Sequence, residues 1–266
     1  MSDGPVILIT GASSGIGAAT ARLFGAQGYR VVMAARRLKR LLEIEKDIEA
    51  AGGEALSVDT DLNHLDQIQA LTDKTLKTFG QIDILFNNAG FGRARWLEEM
   101  DPQKDIELQI QVNLNGVIQM TRAVLPHMIA KRAGHIINMA SLAGFVATPT
   151  YSVYAATKHG VRGFSNALRR EVGVWGIHVS AIYPGGVKTE FGQHLDAKRK
   201  TGLTTPAALQ LSSEDVARTV LAVARRPKGA AIIPWMMRLG VWFDALFPGL
   251  NDWLIERTFT RPERDL

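Results

Sequence analysis

The chain has 266 residues, of which 46% are hydrophobic and 21% charged, and it contains no cysteine. This composition excludes a mostly disordered or fibrous chain and any disulfide, thiolate nucleophile or cysteine-ligated zinc, while the length favours a single large domain over residues 1–266. The net charge of +5 arises from basic residues in short, scattered groups, which predicts solvated helix faces and no nucleic-acid partner.

Short β-branched apolar runs alternate with amphipathic stretches through most of the chain, and each run predicts a β-strand. This alternation is typical of repeated βαβ units, in which helices cover both faces of a parallel sheet. We therefore predict an α/β protein with a Rossmann-type doubly wound parallel β-sheet in a single domain. The predicted strands are VILIT (6–10), YRVVMAA (29–35), EALSV (54–58), IDILFNN (82–88), GHIINMAS (134–141), IHVSAIYP (177–184) and AAIIPW (230–235).

Two helix starts are marked by capping sequences. Asp101 precedes a proline, Pro102, that suits the first turn of a helix, and Ser212 with Asp215 matches a capping box before an apolar stretch. Side chains of this kind accept hydrogen bonds from the free amides of the first turn. We therefore predict helices that begin at these two positions.

Two segments depart from the alternation. Residues 188–211 lose the apolar period and gather lysine, glycine, threonine and proline, which predicts a long loop that serves as a substrate lid. Residues 235–266 form a C-terminal extension that is rich in aromatic side chains up to position 259. Three interpretations of residues 235–259 remain open: packing on the substrate pocket or a neighbouring subunit, peripheral membrane contact, or ordinary core.

The sequence carries no pattern for export or membrane insertion. Its first residues lack a basic segment, and the apolar run Val6–Ile9 is too short for a signal peptide. No stretch approaches the roughly 18 apolar residues of a membrane-spanning helix. We expect a cytoplasmic protein, with membrane association through residues 235–259 as the open alternative.

The first predicted strand ends at Thr10 and runs into a glycine-rich turn before a helical stretch, Ala18–Gln27. Glycines let the backbone turn sharply and let a pyrophosphate approach without meeting a β-carbon, and the amides at the helix start then bind the phosphates. The spacing is GxxxGxG rather than GxGxxG. The turn predicts a nucleotide-cofactor site formed by Gly11, Ser13, Ser14, Gly15, Ile16 and Gly17.

The sequence TGASSGIG at 10–17 resembles the cofactor loop of the short-chain dehydrogenases/reductases. The resemblance covers Val6–Thr189, because further motifs of that family follow in order. It implies that the Asp61 motif contacts the adenine end of an NAD(P) cofactor, the Asn88 motif its middle and the Pro184 motif its nicotinamide end. The further motifs are Asp61-Leu62, Asn87-Asn88-Ala89-Gly90, Ser141 with Tyr154 and Lys158, and Pro184-Gly185 with Val187 and Thr189.

Tyr154 and Lys158 are four residues apart on a predicted helix, so their side chains share a face. Bringing a tyrosine pKa of about 10 toward neutrality requires roughly 4 kcal/mol of preferential phenolate stabilisation, which an adjacent cation and a positively charged nicotinamide favour. We predict that Tyr154 protonates a carbonyl oxygen, or deprotonates an alcohol in reverse, while Ser141 holds that oxygen. The resemblance implies Asn113 as a fourth catalytic residue that helps hold a water between Lys158 and solvent. Asn115 competes for that role.

The end of the second predicted strand indicates which cofactor is bound. An NAD-selective site places an acidic residue there for the ribose hydroxyls, whereas a 2′-phosphate needs cations. The chain has Ala35 at that point, followed by Arg36 and Arg37, and a guanidinium binds phosphate in a bidentate manner. We predict NADP(H) in preference to NAD(H), with Arg36 as the principal contact and Arg37 in support.

The predicted substrate pocket is mostly apolar, which favours a lipophilic ketone or aldehyde, steroid-like or retinoid-like, and its alcohol. One alternative is a 3-oxoacyl thioester on an acyl carrier protein, which the basic residues Lys198–Lys200 would suit, and another is a non-catalytic NADP(H)-binding redox sensor. The histidines lack metal-ligand spacing, so we expect no metal. The resemblance implies a homodimer or homotetramer. The expected pocket residues are Leu142, Phe145, Val146, Thr148, Tyr151, Gly186, Phe191 and Leu195.

Overall fold

In a computed structural model, which describes residues 4–190 and 209–266, seven strands hydrogen-bond into one parallel sheet. Each predicted strand is present and begins and ends within two residues of the predicted run. The prediction of a Rossmann-type parallel sheet is therefore confirmed. The strands are β1 (Val6–Thr10), β2 (Arg30–Ala35), β3 (Glu54–Asp59), β4 (Ile84–Asn87), β5 (Gly134–Met139), β6 (Ile177–Pro184) and β7 (Ala230–Ile233).

The order of the strands creates a crevice at one edge of the sheet. The order is β3-β2-β1-β4-β5-β6-β7, so β1 pairs with β2 on one side and with β4 on the other. The connections leaving β1 and β4 therefore diverge, and ligands bind where strand order reverses, outside the carboxyl ends. In this sheet those ends are Thr10 of β1 and Asn87 of β4.

Helices connect the strands and cover both faces of the sheet. The first begins at Gly15, three residues before the predicted stretch, because the end of the glycine turn is already helical. The helices are α1 (Gly15–Ala26), α2 (Leu38–Ala50), α3 (Leu65–Phe79), α4 (Leu108–Ile110), α5 (Gly116–Lys131), α6 (Ser152–Val172), α7 (Ser213–Arg225), α8 (Met237–Leu246), α9 (Pro248–Ile255) and α10 (Arg261–Arg264), with π-helical turns over Pro102–Glu107, Gln111–Asn115 and Glu256–Thr260 and 3₁₀ turns over Leu97–Glu99, Leu142–Gly144 and Gly173–Trp175.

The core lies on the two faces of the sheet. Ile7 and Ile9 pack beneath α1, α2 and α7, whereas Val6 and Leu8 pack beneath α3, α5 and α6. Successive side chains of a strand point to opposite faces, so both sets are buried only because both faces are covered. This explains why β1 is apolar on consecutive residues rather than on alternate ones.

Both predicted helix starts are confirmed. The Asp101 carboxylate accepts hydrogen bonds from the amides of Gln103 and Lys104 at the start of the helical segment that follows. At the start of α7, Ser212 and Asp215 form the reciprocal capping box, in which each side chain bonds the backbone amide of the other. These bonds satisfy amides that lack partners within the helix.

The two ends of the predicted lid segment are joined by backbone hydrogen bonds. The Lys188 amide donates to the Leu211 carbonyl at 2.9 Å, and the Leu211 amide donates to the Gly186 carbonyl at 2.9 Å. The lid itself falls mostly on residues 191–208, which lie outside the described residues. Phe191, Leu195 and the basic group at 198–200 lie outside them for the same reason.

The C-terminal extension is helical and leaves many large apolar side chains exposed. Trp235 and Trp242 are 71% and 66% exposed, whereas Phe259 is buried. The interpretation of residues 235–259 as ordinary core is therefore wrong for most of this segment. In the described ranges, no helix combines the length and the apolar character needed to cross a membrane.

Candidate active site

A cavity of about 1320 Å³ opens at the carboxyl ends of the strands. Gly17 and Asn113 lie behind its wall, where Gly17 packs on the Gly11 carbonyl and the Asn113 side chain bonds the loop after β4. The other predicted site residues all line the cavity. They are Gly11, Ser13, Ser14, Gly15, Ile16, Arg36, Arg37, Asp61, Leu62, Asn88, Ala89, Gly90, Ser141, Tyr154, Lys158, Pro184, Gly185, Val187 and Thr189.

The glycine turn forms a cradle that side chains would fill. Gly11 has a φ of +66°, and a β-carbon there would lie 2.7 Å from the Ala89 Cα. Gly15 has a φ of +52° and opens α1. Positive φ costs other residues free energy, and the missing β-carbons leave the amides accessible at the positive end of α1. The turn therefore fits the pyrophosphate of a dinucleotide.

The NNAG motif holds this turn in place. The Asn88 side-chain amide donates to the carbonyls of Thr10 and Gly11, each at 3.1 Å. In return, the Thr10 hydroxyl accepts from the backbone amides of Asn88 and Ala89, also at 3.1 Å. Asn88 thus fixes the end of β1 in addition to lining the cavity.

Tyr154, Lys158 and Ser141 meet at one end of the cavity. The two residues of α6 share a face as predicted, with the Lys158 Nζ 5.6 Å from the centroid of the Tyr154 ring. The same Nζ donates to the Met139 carbonyl at the end of β5 at 2.9 Å. Tyr154 and Ser141 are joined by a side-chain hydrogen bond. A proton donor, a second hydroxyl and a cation are therefore in one place.

Burial controls the pKa values of this group. It raises the pKa of Tyr154 to about 12, although the hydrogen bond from Ser141 acts in the opposite direction. Burial also lowers the pKa of Lys158 to about 8. The Tyr154 shift is opposite to the one that the tyrosine–lysine pairing predicts, because that argument counts the ammonium charge and leaves out the loss of water around a phenolate.

The two predicted phosphate contacts differ in how they are held. The Arg37 guanidinium donates to the hydroxyls of Ser13 at 3.0 Å and Ser14 at 2.6 Å, so it lies against the glycine turn. Arg36 is 69% exposed and lies 4.0 Å from the Asp61 carboxylate. Arg36 therefore has more freedom to turn toward a ligand, whereas Arg37 is pre-positioned.

Several lining residues of the cavity were not predicted from the sequence. The apolar residues Leu108 and Val112 come from the helical segment after β4, and Arg93 comes from the loop before it. Helices α8 and α9 contribute further residues. The aromatic composition of the extension suggested such packing on the pocket but did not show which positions face inward. These are Met237, Gly240, Val241, Phe243 and Asn251.

Most of the expected pocket residues are confirmed as wall residues. Leu142, Val146, Thr148, Tyr151 and Gly186 line the cavity. The prediction for Phe145 is wrong, since its ring packs 4.6 Å from the Tyr183 ring under the Arg162 guanidinium. A 3₁₀ turn over Leu142–Gly144 directs Phe145 away from the cavity and into this buried cluster.

Among residues 4–190 and 209–266, no group of three or more histidine or carboxylate side chains is arranged to hold a metal ion. Among the histidines that the structure describes, the one with the largest displacement of its pKa is His135 of β5, which does not line the cavity. Burial and the nearby His178 lower its pKa to about 4.

Comparisons with known sequences agree with these features. A family model described as short chain dehydrogenase matches residues 5–200. An uncharacterized oxidoreductase of Staphylococcus saprophyticus is 35% identical, over 88% of this chain and 95% of that protein. A 3-oxoacyl-[acyl-carrier-protein] reductase of Thermotoga maritima is 36% identical, over 84% of this chain and 91% of its own length.

Comparisons with solved structures give the same result. A metagenomic short-chain oxidoreductase in complex with NADP is 34% identical, with a TM-score of 0.74, over 86% of this chain and 96% of that one. A short chain dehydrogenase/reductase from Burkholderia phymatum in complex with NAD is 27% identical, with a TM-score of 0.84, over 94% of this chain and 96% of that one.

Proposed function

This chain belongs to the short-chain dehydrogenase/reductase family, and from that premise we propose that it interconverts a lipophilic ketone or aldehyde and its alcohol with NADP(H). The observation that carries the proposal is the meeting of Ser141, Tyr154 and Lys158 beside the glycine turn in one cavity. A hydride donor, a proton donor and a hydrogen bond to the substrate oxygen are the requirements of carbonyl reduction.

The residues of the site have distinct roles in the proposed carbonyl reduction. NADPH would supply the hydride when bound, and the glycine turn would hold its pyrophosphate. The Tyr154 hydroxyl donates its proton to the carbonyl oxygen, and Ser141 donates a hydrogen bond that holds this oxygen in line. The Lys158 ammonium would bind the nicotinamide ribose, and its charge favours the tyrosinate left after transfer, which reduces the cost of burying that charge. Asn113 fixes the loop that borders the Lys158 side chain.

The preference for NADP(H) is supported by Ala35, Arg36 and Arg37. Ala35 stands at the end of β2 where an NAD-selective site has an acidic residue, and the guanidinium groups of Arg36 and Arg37 line the cavity. A guanidinium pairs with phosphate through two parallel hydrogen bonds. One related structure contains NADP and another contains NAD. The proposed preference for NADP(H) therefore depends on the side chains of this chain.

A lipophilic substrate is supported by the far end of the cavity. Leu108, Val112, Leu142 and Val241 line the cavity, and Arg93 and Asn251 add polar groups to the same wall. Apolar walls with a small number of polar groups bind apolar ligands and orient them by those groups.

The second candidate is reduction of a 3-oxoacyl thioester on an acyl carrier protein. The 36% identity to the Thermotoga maritima reductase supports it. A thioester substrate would enter as a long flexible chain attached to an acidic protein, so its reduction should slow with salt, whereas reduction of a small neutral ketone should not.

The experiment is NADPH consumption by purified protein against steroid, retinoid, aromatic and 3-oxoacyl carbonyls, with Tyr154→Phe measured in parallel. Turnover that requires Tyr154 on a lipophilic carbonyl supports the proposal, and turnover on the thioester alone selects the second candidate. NADPH binding without turnover on any compound would contradict both and favour a redox sensor.

We also propose that the protein is a homodimer or homotetramer. The outward faces of α8 and α9 expose Trp242, Leu246 and Trp253, and an apolar surface of this kind is usually covered. Light scattering with size-exclusion chromatography measures the assembly. Co-sedimentation of a monomer with lipid vesicles would instead support peripheral membrane contact through residues 235–259.

A further inference from the structure

A carboxylate of the protein already lies among the arginines of the phosphate end of the cavity. The Glu190 carboxylate accepts from the Arg37 guanidinium at 3.1 Å. It also accepts from Arg40 at 2.7 Å and 2.9 Å, one bond to each oxygen. Glu190 follows β6 and is separated from the two arginines by about 150 residues of sequence, so the contact joins the end of the sheet to the start of α2.

The groups around Glu190 form a donor set that suits a phosphate. Arg37 contacts the hydroxyls of Ser13 and Ser14 with two of its nitrogens and Glu190 with the third. Two guanidinium groups and two hydroxyls in contact are the donors that proteins use for a phosphate dianion. In this structure the carboxylate takes the anion's place, and Arg40 and Arg37 hold the pKa of Glu190 below its usual range.

The contact lies on the wall of the cofactor cavity rather than apart from it. Arg37 and Glu190 both line the cavity, together with Arg36. The neighbouring Thr189 approaches the glycine turn so closely that a β-carbon on Gly15 would lie 3.4 Å from it. A ligand that occupies the turn and reaches the arginines must therefore meet Glu190.

We propose that the Glu190 carboxylate competes with the 2′-phosphate of NADP(H) for Arg37 and Arg40, and so lowers the affinity for phosphorylated cofactors without affecting NAD(H). The inference rests on the proposed binding of the 2′-phosphate by the arginines after β2. Binding of NADP(H) must break or share two ion pairs, whereas NAD(H), whose phosphate charge is confined to the pyrophosphate, has no 2′-phosphate to compete for them. Glu190 thereby sets how strongly the enzyme selects between the two cofactors.

The size of the effect follows from the exposure of the pairs. The side chains of Arg37, Arg40 and Glu190 are 47%, 45% and 39% exposed, and exposed ion pairs are weak. Replacing Glu190 by glutamine should therefore tighten NADP(H) binding by about three- to tenfold, the range expected for loss of two such pairs.

The test is isothermal titration calorimetry with the wild type, Glu190→Gln and Glu214→Gln. The two ligands are adenosine 2′,5′-bisphosphate and 5′-AMP, which differ only in the 2′-phosphate. Glu214 lies in the first turn of α7 beside the same surface, so its variant controls for the loss of one negative charge. We expect tighter binding of the bisphosphate in Glu190→Gln alone, with 5′-AMP unchanged. NADP⁺ and NAD⁺ should follow the same pattern.

The proposal would be overturned by an unchanged Kd for the bisphosphate, by an equal gain for both ligands, or by a gain of the same size in Glu214→Gln. Weaker binding of the bisphosphate would also overturn it, because it would mean that Glu190 positions the arginines. The proposed cofactor preference fails separately, if the wild type binds NADP⁺ no better than NAD⁺. The ratio between wild type and Glu190→Gln still decides the role of Glu190 in that case.

Discussion

Asn113 forms a closed pair of hydrogen bonds with the backbone of Phe91. Its side-chain oxygen accepts from the Phe91 amide at 2.9 Å, and its side-chain nitrogen donates to the Phe91 carbonyl at 2.7 Å. Asn113 is fully buried in the π-helical turn Gln111–Asn115. The helical segment is thus fastened to the loop that leaves β4, one residue after the Gly90 that faces Lys158.

We expect Asn113→Ala to lower the free energy of unfolding by about 2–3 kcal/mol, because the amide and the carbonyl of the partly buried Phe91 both lose their partner. Urea unfolding followed by circular dichroism measures the change. Asn115→Ala is the matched control. Within residues 4–190 and 209–266, its side chain accepts one long bond of 3.4 Å, from Gln119, so its loss should stay near 0.5 kcal/mol. A larger loss of unfolding free energy in Asn115→Ala than in Asn113→Ala would show that Asn115 has the structural role.

Replacement of Tyr154 by phenylalanine should reduce turnover by on the order of 10²- to 10⁴-fold, because the proton donor is removed. NADPH affinity should change little. Tyr151→Phe is the control, since its ring lies 6.0 Å from the Tyr154 ring and lines the same cavity. Steady-state kinetics and cofactor titration are both needed. Comparable loss of kcat in the two variants would remove Tyr154 from its proposed role.

Arg36→Ala should weaken NADPH binding by about tenfold, the loss expected for one charge-assisted phosphate contact. NADH binding should remain within a factor of two. Arg22→Ala removes a positive charge from α1, where Arg22 pairs with Asp47, and should leave both affinities unchanged. Fluorescence titration with the two cofactors gives the ratio. Equal losses for NADPH and NADH would refute the assignment of Arg36.

Two glycines with positive φ allow the cost of backbone strain to be measured separately from the cost of a steric clash. Gly28 has a φ of +80° and open space around its missing β-carbon, whereas a β-carbon at Gly11 would lie 2.7 Å from Ala89. Gly28→Ala should therefore cost about 1 kcal/mol of stability and leave cofactor binding intact. Gly11→Ala should cost more and weaken NADPH binding by more than tenfold, measured by thermal unfolding and titration. Equal behaviour would mean that the turn tolerates a side chain.

Much of the fold could be predicted from the sequence because strands buried on both faces of the sheet have consecutive apolar residues. Val6, Ile7, Leu8 and Ile9 are consecutive apolar residues, a pattern typical of a strand in a sheet covered on both sides. The motifs of the candidate site follow the carboxyl ends of such strands. Chain order alone therefore places the glycine turn, Ser141 and the turn after β6 at one edge.

Contacts between distant segments could not be predicted in this way. The pairing of Glu190 with Arg40 joins residues with no shared period or motif, and the inward turn of Met237 and Val241 depends on how α8 docks. The raised pKa of Tyr154 has the same origin. It depends on the burial of the hydroxyl, which the four-residue spacing from Lys158 does not reveal.

His135 should make the protein less stable at mildly acidic pH. Its Nε2 lies 2.8 Å from the Ser180 hydroxyl, its ring lies 5.9 Å from that of His178, and burial followed by the His178 charge lowers its pKa from 6.5 to about 4. Below pH 6.5 the unfolded chain binds a proton at this position that the folded protein does not bind until about pH 4. The contribution of His135 to the free energy of unfolding is therefore fully present above pH 6.5 and is lost as the pH falls toward 4.

Between about pH 7.5 and 5.5 this linkage should remove about 1 kcal/mol of unfolding free energy, a loss that continues toward pH 4. Urea unfolding of the wild type and His135→Gln at the two pH values isolates the contribution, because acidic groups elsewhere affect both proteins equally. Glutamine keeps a polar group of similar reach toward Ser180. The wild type should lose about 1 kcal/mol more than the variant over this interval, and an identical pH dependence would show that His135 is protonated in the folded protein as readily as in the unfolded chain.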